Sequence, residues 1–90
     1  MELDLIFKPL ALEDIAYFKK TGNKAIQKKI TALLEEIKKT PYDGTGKVEP
    51  LKYELSGYWS RRINGEHRIV YKVIDDKTVE IYSLKGHYDK

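Results

Sequence analysis

Ile26, Ile30, Leu33, Leu34 and Ile37 recur at i, i+4, i+7, i+8 and i+11, and beyond Pro41 that period gives way to short aromatic and β-branched runs. The first pattern lays five apolar side chains along one helical stripe, whereas the second suits strands with a buried face. A chain written this way packs helix on sheet. Lys24, Lys28, Lys29, Glu35 and Glu36 fall mostly on the other faces of the helix, Asn23 is placed to cap it, and Thr40 ends it because a residue before proline avoids helical geometry.

Upstream, Leu3, Leu5 and Phe7 alternate with Glu2, Asp4, Ile6 and Lys8, which predicts a first strand closed by Pro9. From about Leu12 to Lys20 the spacing of Leu12, Ile15, Ala16 and Phe18 predicts a short helix stopped by Gly22. A two-residue link to the next helix implies an antiparallel helical hairpin. Pro41 to Pro50 reads as an ordered loop. Leu51–Leu55, Tyr58–Ile63, His67–Ile74 and Thr78–Leu84 then predict an antiparallel meander, punctuated by Ser56-Gly57, Asn64-Gly65 and Asp75-Asp76-Lys77. The order β-α-α-β-β-β-β predicts an α+β fold: a single domain over residues 1–90, with the helical hairpin on one face of a mainly antiparallel twisted sheet. Part of the opposite face is left for a ligand.

Ninety residues allow one modest core, and 41% apolar with 34% charged residues suits a globular chain. A net charge of +3 and a pI near 9.0 favour polyanionic partners. With no cysteine and two histidines far apart, neither a disulfide frame nor a good metal set is expected, so any catalysis is predicted to need no metal and no cofactor. The first apolar stretch is broken by charges and no run is long enough to span a membrane, so the expected location is the cytoplasm.

Asn64-Gly65 is a strong hairpin signal. A two-residue type I′ turn there would set Ile63 opposite Glu66, Arg62 opposite His67, and Arg61 opposite Arg68. Facing arginines are unfavourable unless an anion lies between them, and the guanidinium fork matches phosphate. With Trp59 alongside, the strand resembles a seat for an RNA backbone; a solvated basic face is the plainer alternative. Glu49 stands between Lys47 and Lys52, beside the rigid Pro50, where positive neighbours favour the ionised form that a base requires. His87 and Tyr88 follow the last strand. His67, next to Arg68, reads as a strand residue packing near Arg62, and the remaining tyrosines as packing or rim residues.

The stretch EPLKYELSGYWSRRINGEHRIVY from Glu49 to Tyr71, with Gly86-His87-Tyr88, resembles the YoeB (Txe) toxins of the RelE superfamily, and the likeness in element order and length spans essentially the whole chain. The resemblance implies a fold shared with microbial ribonucleases and a ribosome-dependent messenger-RNA endonuclease that arrests translation. It implies a general base at Glu49, a phosphate-binding arginine at Arg68, a general acid at His87 and a terminal aromatic at Tyr88, with Lys52, Arg61 and Arg62 helping to hold RNA; Lys47 and Trp59 are expected beside them from the residues alone. Tyr88 would stack on a base, orient His87 or share the acid role. Implied partners are mRNA in the ribosomal A site, the ribosome itself, a YefM-like antitoxin and a second copy of the chain. Two other readings stay open: a non-catalytic toxin of the same superfamily that binds a DNA-handling enzyme, and a simple RNA-binding module.

Overall fold

The computed structural model describes residues 2–86. Strand β1 (Asp4–Phe7) leads into α1 (Pro9–Thr21) and α2 (Lys24–Lys39), followed by β2 (Glu49–Pro50), a single 3₁₀ turn at Tyr53–Leu55, β3 (Trp59–Arg62), β4 (Arg68–Val73) and β5 (Thr78–Ser83). The five strands form one sheet in the order β1-β5-β4-β3-β2. β1 runs parallel to β5, and the other neighbours are antiparallel. Among the described residues no helix is long and apolar enough to cross a membrane.

Helix α1 begins three residues before the apolar spacing suggests. Pro9 occupies its first turn, where a missing N–H costs nothing because that N–H would have no partner anyway. Gly22 closes α1 at φ 71, donating its N–H to the Lys19 carbonyl. The Asn23 side chain then accepts the Ile26 N–H at 3.0 Å and starts α2. The two helices bury Ala11, Phe18, Ile30, Leu33 and Ile37 against Ile69, Tyr71, Val79 and Ile81, forming one shared core over a single sheet face. The other face stays uncovered: Ile6, Lys72 and Tyr82 are exposed there.

Two expectations about the strands fail for physical reasons. Leu51–Leu55 does not form a strand. Pairing with β3 covers only Glu49 and Pro50, since proline has no N–H to extend a ladder, and after one further bond from Leu51 N–H to the Tyr58 carbonyl the chain curls into local turns. The β3–β4 register also differs by one residue. Arg62 pairs with Arg68 and Arg61 with Ile69, not Arg61 with Arg68. Gly65 does not take up the left-handed conformation that a two-residue type I′ turn requires. Instead the Asn64 side chain accepts the N–H groups of Glu66 and His67, both at 2.8 Å, and makes a longer loop.

Candidate active site

A one-residue change of register sends every side chain to the opposite face of a strand. Trp59 and Arg61 consequently face the helices, while Ser60 and Arg62 face the open side with Arg68. Glu49 is the register partner of Ser60 and joins them there. Arg68 Nη1 donates to Glu49 Oε1 at 3.2 Å and to Ser60 Oγ at 3.2 Å, bringing a carboxylate, a guanidinium and a buried hydroxyl together. Leu51, Leu55 and Val70 complete a small cleft beside Ser60 and Arg68. A more pronounced apolar groove lies between α1 and α2, but Lys19 is the only titratable group among its lining residues. The open sheet face is where the described carboxylate, guanidinium and hydroxyl groups meet.

Two residues expected to hold RNA lie elsewhere. Arg61 is fully buried: its Nη1 donates to Glu36 Oε1 at 2.9 Å, and its Nη2 donates to the carbonyls of Thr40 (2.9 Å) and Asp43 (2.8 Å). Every one of these acceptors comes from α2 or the loop after it, so Arg61 anchors that loop and is shielded from any phosphate. Trp59 is half-buried against the core, with its ring 4.9 Å from that of Tyr42. It has no place beside Arg68, because alternation along β3 directs it to the helix side.

Lys47 and Lys52 are exposed on either side of Glu49, and Arg62 is half-buried on the same face as Arg68. Lys47 sits in left-handed backbone at φ 52 in the approach to Glu49. That approach is tight: a Cβ on Gly46, at φ 90, would lie 2.7 Å from Arg61 Cγ and 2.9 Å from the Arg62 carbonyl oxygen. Tyr71 fixes the start of the same loop by donating its hydroxyl to the Pro41 carbonyl at 2.6 Å, and burial pushes its phenol pKa up, so the donor keeps its proton.

His87 and Tyr88 lie outside the described residues. The described chain ends at Gly86, whose N–H is accepted by His67 Nδ1 at 3.1 Å. His67 does not pair with Arg62. It is buried with its ring edge-on to Phe18 of α1. Ser60, Asp14 and His67 thus enter the picture without having been singled out for function. For Ser60 the signal lay in its register opposite Glu49; Asp14 carried none beyond being a carboxylate on an apolar helical stripe.

Comparison with known proteins shows the family. Residues 7–88 match the model of the YoeB-like toxins of bacterial type II toxin–antitoxin systems. The chain is 45% identical over 86 residues to Toxin YoeB of Escherichia coli K12, covering 96% of this chain and all of the relative. A solved YoeB dimer from Staphylococcus aureus superposes with a TM-score of 0.85 at 47% identity, covering 98% of this chain and 100% of that one. A YoeB–YefM complex from the same organism gives 0.84 at 48% identity with the same coverage. With likeness of this degree running from end to end, the chain belongs to the YoeB-like toxins of bacterial type II toxin–antitoxin systems.

Proposed function

We propose that this toxin is a metal-independent endoribonuclease that cuts messenger RNA in the ribosomal A site and so blocks translation. The observation that carries the reading is the contact of Arg68 with both Glu49 and Ser60 on an open sheet face, between exposed lysines. In the free protein the guanidinium is held on the carboxylate. A phosphate entering the cleft competes for the guanidinium fork, which leaves Glu49 beside the incoming ribose.

The reaction then needs three services. Glu49 takes the proton of the ribose 2′-OH; the 2′-oxygen bonds to phosphorus as the bond to the 5′-oxygen breaks; Arg68 balances the charge gathered on the phosphorane. His87 gives its proton to the departing 5′-oxygen, and Tyr88 stacks on a base or orients that imidazole. The upstream fragment leaves with a 2′,3′-cyclic phosphate. Arg62, Lys47 and Lys52 hold the flanking backbone by charge. A YefM-like antitoxin neutralises the activity by covering this face, and two copies of the chain pair as in the solved relative.

The test uses purified 70S complexes carrying a defined message. Glu49→Gln and His87→Gln each lower the cleavage rate by about 10²–10⁴-fold while the variants keep the wild-type circular dichroism. Intact message with the wild-type toxin at saturation would refute the nuclease reading.

A further inference from the structure

The guanidinium of Arg68 has two acceptors of opposite kind. Nη1 donates to Glu49 Oε1 and to Ser60 Oγ, each at 3.2 Å, but the Glu49 side chain is 54% exposed whereas Ser60 is 1% exposed. A carboxylate open to water is readily exchanged for a phosphate, because exposed ion pairs contribute little. The hydroxyl cannot leave in that way. Ser60 lies on the middle one of three strands, paired with Glu49 of β2 on one side and Val70 of β4 on the other, so its backbone is fixed from both edges.

The surroundings give that hydroxyl a task. Leu51, Leu55 and Val70 line the cleft with it, and a buried hydroxyl among apolar side chains is costly unless it is hydrogen-bonded. Alanine or valine would fill this strand position without that cost; the serine makes its bond to Arg68. Being neutral, Ser60 leaves the positive charge unanswered, and a guanidinium held by one Nη1 proton keeps its remaining donors for a phosphate. A second force acts on the same group. Arg62 stands opposite Arg68 in the strand register, and like charges so placed repel. While Glu49 is ionised, its carboxylate offsets that push.

We propose that Ser60 is a positioning residue: its hydroxyl holds the Arg68 guanidinium in place after Glu49 has released it. The consequence for turnover rests on the nuclease reading; the hold itself does not. As Glu49 takes the ribose proton it becomes neutral, so its pull on Arg68 fades while charge gathers on the phosphorane. Arg62 still repels, and among the described residues Ser60 is the acceptor left to Arg68. Its contribution is therefore greater in the transition state than in the bound complex, and it falls on kcat. Misplacing a catalytic group by about 1 Å costs on the order of 10²-fold in rate.

The experiment has an arm that needs no RNA. Rotation of the Arg68 guanidinium about its Nε–Cζ bond is followed by NMR of labelled Glu49→Ala protein, which imitates the released state. Adding Ser60→Ala is expected to speed that rotation by about tenfold or more, as befits the loss of a hydrogen bond to a charged group, and an unchanged rate would overturn the proposal. In ribosome cleavage assays, Ser60→Ala is expected to lower kcat by roughly 10- to 100-fold with KM within about twofold of wild type. Ser60→Thr, which keeps the hydroxyl on a side chain that suits a strand, restores most of the loss. In an Arg68→Ala background the Ser60→Ala change has little further effect, because it works through that guanidinium. Undiminished kcat in Ser60→Ala, or an equal loss with and without Arg68, would defeat the proposal. If the double variant loosens Arg68 but the wild-type toxin cleaves no message, the nuclease reading fails and the hold of Ser60 on Arg68 stands.

Discussion

No water reaches the Arg61 guanidinium, and its charge is answered by Glu36 and by carbonyls of the loop that runs on to Glu49. Removing one member of a buried ion pair costs about 3–5 kcal/mol, and because Glu36 keeps some solvent the lower end applies to Arg61→Ala. Urea unfolding will show that loss, and Arg61→Lys will not recover it, since an ammonium cannot reproduce the planar fork. The Thr45 backbone N–H and hydroxyl, with help from Arg61 and against the opposing effect of burial, hold the Glu36 carboxyl below its ordinary value of 4.5. A depressed acid contributes stability that is whole above its unfolded pKa and is lost as pH falls through the folded one. Unfolding midpoints should therefore decline as pH drops below about 4.5, and Glu36→Gln should flatten that decline; an unchanged slope would remove Glu36 from the account.

The elements that could be read from sequence are those whose cause is local. The stripe from Ile26 to Ile37 and the Asn23 cap lie within a few residues of what they determine, and α2 appears where they place it. Asn23→Ala should lower stability by about 1 kcal/mol in thermal or urea melts. The β3–β4 register was not legible, because Asn64 had two uses, as a turn residue or as a side-chain acceptor for Glu66 and His67, and spacing alone does not choose between them. The fate of Arg61 followed from that register and from Glu36, 25 residues away. Glu49 and Arg68 could be placed together in advance by family likeness, whereas Ser60 became visible only once strand partners were known. The loop into Glu49 is an element in its own right. Gly46→Ala places a methyl against Arg61 and the Arg62 carbonyl in a left-handed backbone, so it should both destabilise the fold and shift Glu49, lowering kcat more than KM rises in the ribosome assay.

At the scale of the molecule, charge and topology divide the labour. The helices cover one sheet face, and the other carries Arg62, Arg68 and the adjoining loop lysines, so RNA affinity should weaken steeply with salt. Arg68→Ala should reduce the slope of log K against log salt by about 0.7, the share of one phosphate on a single strand. Topology sets a different limit. The fifth strand lies between the first and the fourth, so the opening segment of the polypeptide gains its sheet neighbour only when nearly the last one has been made. Until β5 has been made, β1 has no strand to pair with and the five-stranded sheet stays open.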